Sequence, residues 1–305
     1  FPGVTYVKAP ERSSLSDNAP VESLVSEIIA NVRAHGDAAV REYSARFDRS
    51  ELEVFEVSQA EREQALAVLD PQTRADTEFA IENVRKFAQA QLATILPLEV
   101  ETLPGVHMGH RVIPIERVGC AGPSEIFIVA DATGDAEMIA TDMLAQAEHD
   151  IRTRVGLITT DRALAEATLQ QVEAQLATLS TATTAREAWI NYGEITVCES
   201  EAAMIAYSDL IAAEHLQVHT TDAKGFAKKL RNYGSLFIGE LASVVYSDKC
   251  SGTNHTLPTM GAGAYTGGLW VGAYVKIATH QWLDERGVAA VAPPAPRQSA
   301  SEGLE

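Results

Sequence analysis

The sequence predicts an α/β protein, a mostly parallel sheet preceded by a helical N-terminal region. Two observations carry that prediction. After Gly122, short apolar runs alternate with amphipathic stretches: "SEIFIVAD" leads into "DAEMIATDMLAQAEH", and "VGLITTD" into "RALAEATLQQVEAQLATL". Over the first ninety or so residues, apolar side chains recur instead at helical spacing. With 305 residues, 46% hydrophobic and 22% charged, the chain is long enough and apolar enough to bury a sizeable core.

The elements follow in order. "VESLVSEIIANVRAHG" places Leu24, Val25, Ile28, Ile29 and Val32 on one helix face, and Gly36 is a C-terminal stop. "DAAVREYSARFD" resumes the pattern with Val40, Tyr43 and Phe47. Ser58 and Glu61 form an S-x-x-E capping box, in which each side chain satisfies an orphan amide of the first turn. A longer helix is expected from Pro71 to Ala93, with Phe79, Ile81, Val84 and Phe87 as candidate core residues. "LEVETLPGVHMGHRVIPIERVG" reads as paired extended segments broken at Pro104-Gly105. Beyond the two strand–helix pairs above, "EITVCES" is a further strand. "FAKKLRNYG" with "SLFIGE" is one more helix–strand pair. The expected division is a helical region over 1–95, an α/β domain over 96–292 and a Pro/Ala/Ser-rich tail over 293–305.

Composition excludes several function classes. A formal charge of −18 opposes nucleic-acid binding, which needs a Lys/Arg surface to replace phosphate counterions. No apolar run approaches the roughly 20 residues that span a bilayer, and "FPGVTYVKAP" lacks the basic-then-apolar layout of a signal peptide. Cys120, Cys198 and Cys250 are odd in number and widely spaced, so no disulfide framework is implied. These features describe a cytoplasmic enzyme or scaffold with no nucleic-acid or membrane partner.

Four clusters carry candidate chemistry. In "DMLAQAEHD", Gln146 and His149 stand at i and i+3, so both can reach one point beside the helix. Imidazole is a common zinc ligand and a carboxamide an unusual one, so on spacing alone a solvated helix end is the better reading. Glu214-His215 in "IAAEHLQV" joins a carboxylate to a side chain that titrates near neutral pH. Most such adjacent pairs are coincidental. "SDKCSGTNHTLPT" crowds Asp248, Ser251, Thr253, Asn254 and His255 around Gly252, more polar groups than a simple turn explains. In "AGPSEIFIVAD", Pro123 and Ser124 stand at the mouth of a strand, where a capping hydroxyl is the plain alternative to a ligand contact. No G-x-G-x-x-G, P-loop or H-E-x-x-H pattern occurs. Cys250 near His255 is a minor nucleophile candidate without an orienting third group.

Taken in order, "VRAHGDAAVREYSARFD", "AGPSE", "QAEH", "AAEHL" and "SGTNHTLPT" resemble the histidinol dehydrogenase family over nearly the whole chain. The resemblance implies a homodimeric zinc enzyme that uses two NAD to oxidise a primary alcohol through an aldehyde to a carboxylate. It implies Gln146, His149 and Asp248 as zinc ligands, and Glu214 and His215 as the acid/base pair, Glu214 activating water and His215 handling the alcohol proton. Ser124, His255 and Glu302 match substrate-pocket positions, while no residue is matched to the cofactor. Two departures stand out. In the family a second Rossmann-like domain, which carries most dinucleotide contacts, precedes "AGPSE"; here Cys120 runs straight into Ala121, a suspected missing domain at the 120/121 junction. The family tail also continues past "EGL" to a histidine that completes the partner's zinc shell. We therefore expect a longer parent chain. "GAYTGGLWVGAYVKIATHQWL" looks more like the branch that oxidises 2,3-dihydroxypropane-1-sulfonate to sulfolactate than like the enzymes for L-histidinol, which remains the alternative substrate. A catalytically silent zinc-binding homologue is the third possibility.

Overall fold

A computed structural model describes residues 1–11, 19–104, 106–114, 124–253 and 255–293. The chain opens with β1 (Val4–Lys8), α1 (Ala19–His35), α2 (Asp37–Tyr43), α3 (Gln59–Val68) and α4 (Pro71–Leu92). It continues through β2 (Leu98–Leu103), β3 (Val106–Pro114), β4 (Glu125–Ala130), α5 (Ala136–Ala147), β5 (Arg154–Thr159), α6 (Arg162–Leu176) and α7 (Ala182–Tyr192). Then come β6 (Gly193–Cys198), α8 (Glu201–Ile211), β7 (His215–His219), α9 (Ala223–Ala227), β8 (Ser235–Ile238) and α10 (Val244–Lys249). The last elements are β9 (Val275–Leu283) and α11 (Glu285–Val291). They fall into two compact units, one of 1–79, 122–246 and 257–268, the other of 80–121, 247–256 and 269–305.

The first unit is built on a six-stranded sheet in the order β1-β6-β5-β4-β7-β8. Strands β4 to β8 are parallel, and β1 closes one edge antiparallel to β6. The α/β expectation is thus met. Chain order runs outward from β4 through β5 to β6, then returns to β7 on the other side of β4, so the topological switch lies between β4 and β7. All six residues of β4 are buried, as a central parallel strand covered on both faces requires. Ile126, Ile128 and Ala130 pack with Ile139 and Met143 of α5, while Phe127 and Val129 pack with Leu216, Val218 and Met204 on the opposite face. Strand β1, not anticipated from the sequence, is pinned by Lys8, whose Nζ donates to the carbonyls of Trp189 (2.6 Å) and Gly193 (2.5 Å) at the C-terminal end of α7.

The second unit carries an antiparallel sheet, β2-β3-β9, in which β2 and β3 pair as the hairpin expected around Pro104. On it the His107 ring stacks on Trp282 at 3.7 Å between centroids. The sequence reading placed 96–292 in one domain; the structure instead assigns these three strands to a separate sheet in a separate unit.

Local signals hold in the N-terminal helices. The Ser58–Glu61 capping box is fully formed, and Gly36, with φ of 56°, takes the left-handed turn between α1 and α2 that a Cβ would resist. The candidate core of that region does not hold. Phe79, Ile81, Val84 and Phe87 are exposed, and neither α3 nor α4 buries a residue among those described. Periodicity marks an apolar stripe but does not supply the layer that covers it. "FAKKLRNYG" is also less helical than expected: α9 ends at Ala227.

Candidate active site

The site forms at the amino-terminal edge of the first unit's sheet, where β4, β5 and β7 begin side by side. Helix α5 returns to this edge with its C-terminal end, so Gln146, buried in its last turn, meets Ser124 just ahead of β4. The Gln146 Nε2 amide donates to Ser124 Oγ, which in turn donates to Glu214 Oε2 at 3.1 Å. Glu214 Oε2 also accepts the main-chain N–H of Glu125 at 2.6 Å and lies 3.4 Å from His215 Nδ1. The two residues that the sequence offered as a coincidental neighbour pair are therefore both engaged in one buried cluster.

His215 Nδ1 lies 2.9 Å from the carbonyl oxygen of Glu125. A carbonyl only accepts, so Nδ1 carries the proton, and in the neutral form of the ring the lone pair lies on Nε2. The backbone N–H and the carbonyl of Glu125 thus both meet the candidate acid/base side chains. The Glu125 carboxyl is itself buried, and burial raises its pKa. The Arg154 guanidinium, 3.4 Å away, and the Met260 N–H that it accepts oppose that rise. Met260 holds a φ of 56°, unusual for a side chain with a Cβ. Glu125, Arg154 and Met260 were not singled out in the sequence. The one signal was a carboxylate and an arginine opening two otherwise apolar strands.

Not every expected residue joins this cluster. Helix α5 ends at Ala147, so His149 lies just past the Glu148 cap and is exposed, its N–H closing the turn on the Gln146 carbonyl at 3.1 Å. Asp248 and His255 belong to the second unit. There Gly252 (φ 108°) passes so close to Asn83 that an added Cβ would lie 2.8 Å from its carbonyl oxygen, and Ser247 bonds Thr253 at 2.5 Å. His255 is exposed. Asn254, Glu302 and the 120/121 junction lie outside the described residues.

Zinc is compatible with the donor chemistry. Gln146 offers an amide oxygen, His149 an accessible imidazole, and Asp248 a buried Oδ1 without a hydrogen-bond partner among the described residues. Among the described residues no group of three His, Cys, Asp or Glu side chains is placed to hold a metal; a Gln-His-Asp shell has only two of those types. A dinucleotide does not fit the turns ahead of α5 and α6. A diphosphate binds open amides at a helix N-terminus, yet Asp135 already accepts the N–H groups of Glu137 and Met138 (2.8 and 3.0 Å) at α5. Asp161 likewise accepts the Leu164 N–H at 2.7 Å at α6. A diphosphate at either turn would face one of these carboxylates.

At the carboxyl end of β7, His219 is buried, and burial holds its imidazole down at about 4, against the nearby Asp135 charge. An unfolded histidine titrates near 6.5. Between those values the unfolded chain binds a proton that the folded chain refuses, so stability present above pH ~6.5 is lost as pH falls toward ~4. Unfolding midpoints measured from pH 7 to 4 should show a shallower decline in His219→Gln than in the parent; parallel curves would remove His219 from the account.

The histidinol dehydrogenase family model matches residues 11–120 and 120–305. The chain belongs to the histidinol dehydrogenase family. It is 33% identical over 405 residues to a "histidinol dehydrogenase homolog" of Shouchella clausii, covering 98% of this chain and 96% of that one. It is 31% identical over 409 residues to the "sulfopropanediol 3-dehydrogenase" of Ruegeria pomeroyi, covering 99% and 94%. The crystal structure of histidinol dehydrogenase from Elizabethkingia anophelis superposes with a TM-score of 0.84 at 23% identity, over 96% of this chain and 92% of that one, and shows the shared fold. An alignment of 405 columns against a chain of 305 residues leaves at least 100 columns with no residue here (405 − 305 = 100). The family match breaks at residue 120, the junction where the resemblance placed the second Rossmann-like domain.

Proposed function

We propose that this member of the histidinol dehydrogenase family is a zinc- and NAD-dependent dehydrogenase. It oxidises a small primary alcohol through an aldehyde to a carboxylate, with 2,3-dihydroxypropane-1-sulfonate, giving sulfolactate, as the preferred substrate. One observation carries the reading: Glu214 and His215 are buried together and both bonded to the backbone of Glu125, within a hydrogen-bonded cluster that reaches Gln146. His215, with its lone pair on Nε2, takes the hydroxyl proton of the alcohol. Glu214 takes a proton from the water that adds to the aldehyde. Ser124, His255 and Glu302 contact the substrate in this proposal. Gln146, His149 and Asp248 hold zinc, which when bound orients and polarises the substrate oxygen. NAD rests on family membership, because the turns ahead of α5 and α6 do not fit it. A homodimer and a cytoplasmic location belong to the same proposal; no helix of the described residues is long and apolar enough to cross a membrane.

Substrate preference draws on the Ruegeria pomeroyi relative, and L-histidinol is the competing substrate. The unmatched columns favour a second reading, a zinc-binding homologue without dehydrogenase activity. Zinc analysis combined with NAD reduction on each alcohol separates the three. Zinc near one per chain, with faster turnover of the sulfonate, is the expected result; turnover of histidinol alone overturns the substrate. Bound zinc with no reduction by either alcohol selects the second reading. His149→Ala should lose most of its zinc, and full occupancy in that variant would refute the ligand assignment.

A further inference from the structure

We propose that Glu125 is the positioning residue of the Glu214–His215 pair, acting through its own backbone N–H and carbonyl, and that Arg154 anchors it; the inference rests on the acid/base reading of that pair. In an extended strand the N–H and C=O of one residue point toward the same neighbouring strand. The ladder between β4 and β7 begins by pairing Ile126 with His215, so Glu125 stands one residue ahead of it. Its backbone there serves two side chains of the neighbouring segment. The N–H meets Glu214 Oε2 at 2.6 Å and the carbonyl meets His215 Nδ1 at 2.9 Å. A shift of this one residue's backbone moves the base and the acid together, and loss of the carbonyl contact frees the imidazole to change tautomer.

The Glu125 side chain fixes that backbone from the other side. Oε2 lies 3.4 Å from Arg154 Nη1, and Oε1 accepts the Met260 N–H. Arg154 is held in turn. Its guanidinium lies 5.2 Å from the ring centre of Phe127, two residues along β4 from Glu125. It also feels the charge of Glu194, a buried carboxylate on β6 that accepts the Tyr207 hydroxyl at 3.0 Å. One arginine on β5 therefore sits among buried carboxylates from the strands on either side of its own. Desolvating such charges makes them poor sources of net stability compared with apolar residues of the same volume. Their place, directly behind the acid/base pair, accounts for them as an alignment device.

The test uses the full chain loaded with zinc. Glu125→Gln keeps an acceptor for Met260 and removes the charge pair; Arg154→Met removes the other partner, and Arg154→Lys keeps a cation. For Glu125→Gln and Arg154→Met, kcat should fall about 10–100-fold while KM for the alcohol moves less than about threefold, as displacement of aligned groups predicts. Arg154→Lys should return to within about fivefold of the parent. The double variant Glu125→Gln/Arg154→Met should be no worse than either single change, because both break one interaction. Histidine-selective 15N spectra, with His215 identified by its loss in His215→Asn, should show one Nδ1–H tautomer in the parent and a mixture in Glu125→Gln. Parent-like kcat per folded molecule in Glu125→Gln, or an unchanged His215 tautomer, overturns the proposal. If the parent itself turns over no alcohol, the dehydrogenase reading fails while the tautomer measurement still decides the positioning role.

Discussion

His215→Asn and Glu214→Gln should each lower turnover by about 10²–10⁴-fold, the range lost when a positioned proton acceptor is removed. Both variants preserve the local hydrogen bonds. The Asn side-chain amide can still donate to the Glu125 carbonyl that now receives His215 Nδ1, and the Gln oxygen can still accept the Glu125 N–H and the Ser124 hydroxyl. A loss of rate therefore reports proton transfer and not collapse of the cluster. The two variants should also differ from one another. With the alcohol as substrate, His215→Asn is the slower, because the first step needs the hydroxyl proton removed. With the aldehyde supplied directly, Glu214→Gln is the slower, because the remaining step adds water. Rates within threefold of the parent on both substrates would remove the pair from the chemistry and leave it a structural contact.

What the sequence made legible follows from where the information is local. The alternation of apolar runs with helices gave the parallel sheet, and the S-x-x-E capping box formed as written because all its partners lie within four residues. Strand β7 is hidden from periodicity. His215, Gln217 and His219 are polar yet buried, so no apolar/polar contrast marks the strand. The Gln146–His149 spacing assumed a helix face that continues to His149, but α5 stops two residues short of it. Glu125 and Arg154 escaped for a different reason. Their relation exists only through the β4–β5 register, which sets residues 29 positions apart beside each other, and no local pattern encodes that. The exposed stripe of α4 shows the converse, a local pattern whose partner layer lies in no described part of the chain.

Phe127→Ala should cost about 3–5 kcal/mol in urea unfolding, the range for deleting a fully buried aromatic ring. The ring is completely enclosed, and its surroundings cannot collapse onto the gap. On β5, Gly156 leaves the space that the ring occupies: a Cβ there would lie 2.3 Å from Phe127 Cε1. Gly156→Ala alone is therefore expected to destabilise the fold by overpacking, since both atoms are held by a central parallel pair. In the Phe127→Ala background the same methyl enters vacated volume, so the two changes should couple, with the double variant more stable than the sum of the singles predicts. Additive losses would show that ring and glycine do not share one packing site. The same ring supports the guanidinium of Arg154. Phe127→Ala should then slow turnover per folded molecule as well, whereas an equally destabilising cavity at Ile139, on the α5 face, should leave that rate unchanged. Core packing at this strand and alignment of the acid/base pair are one arrangement, because the residue that fills the core stands between the sheet interior and the ion pair that holds Glu125.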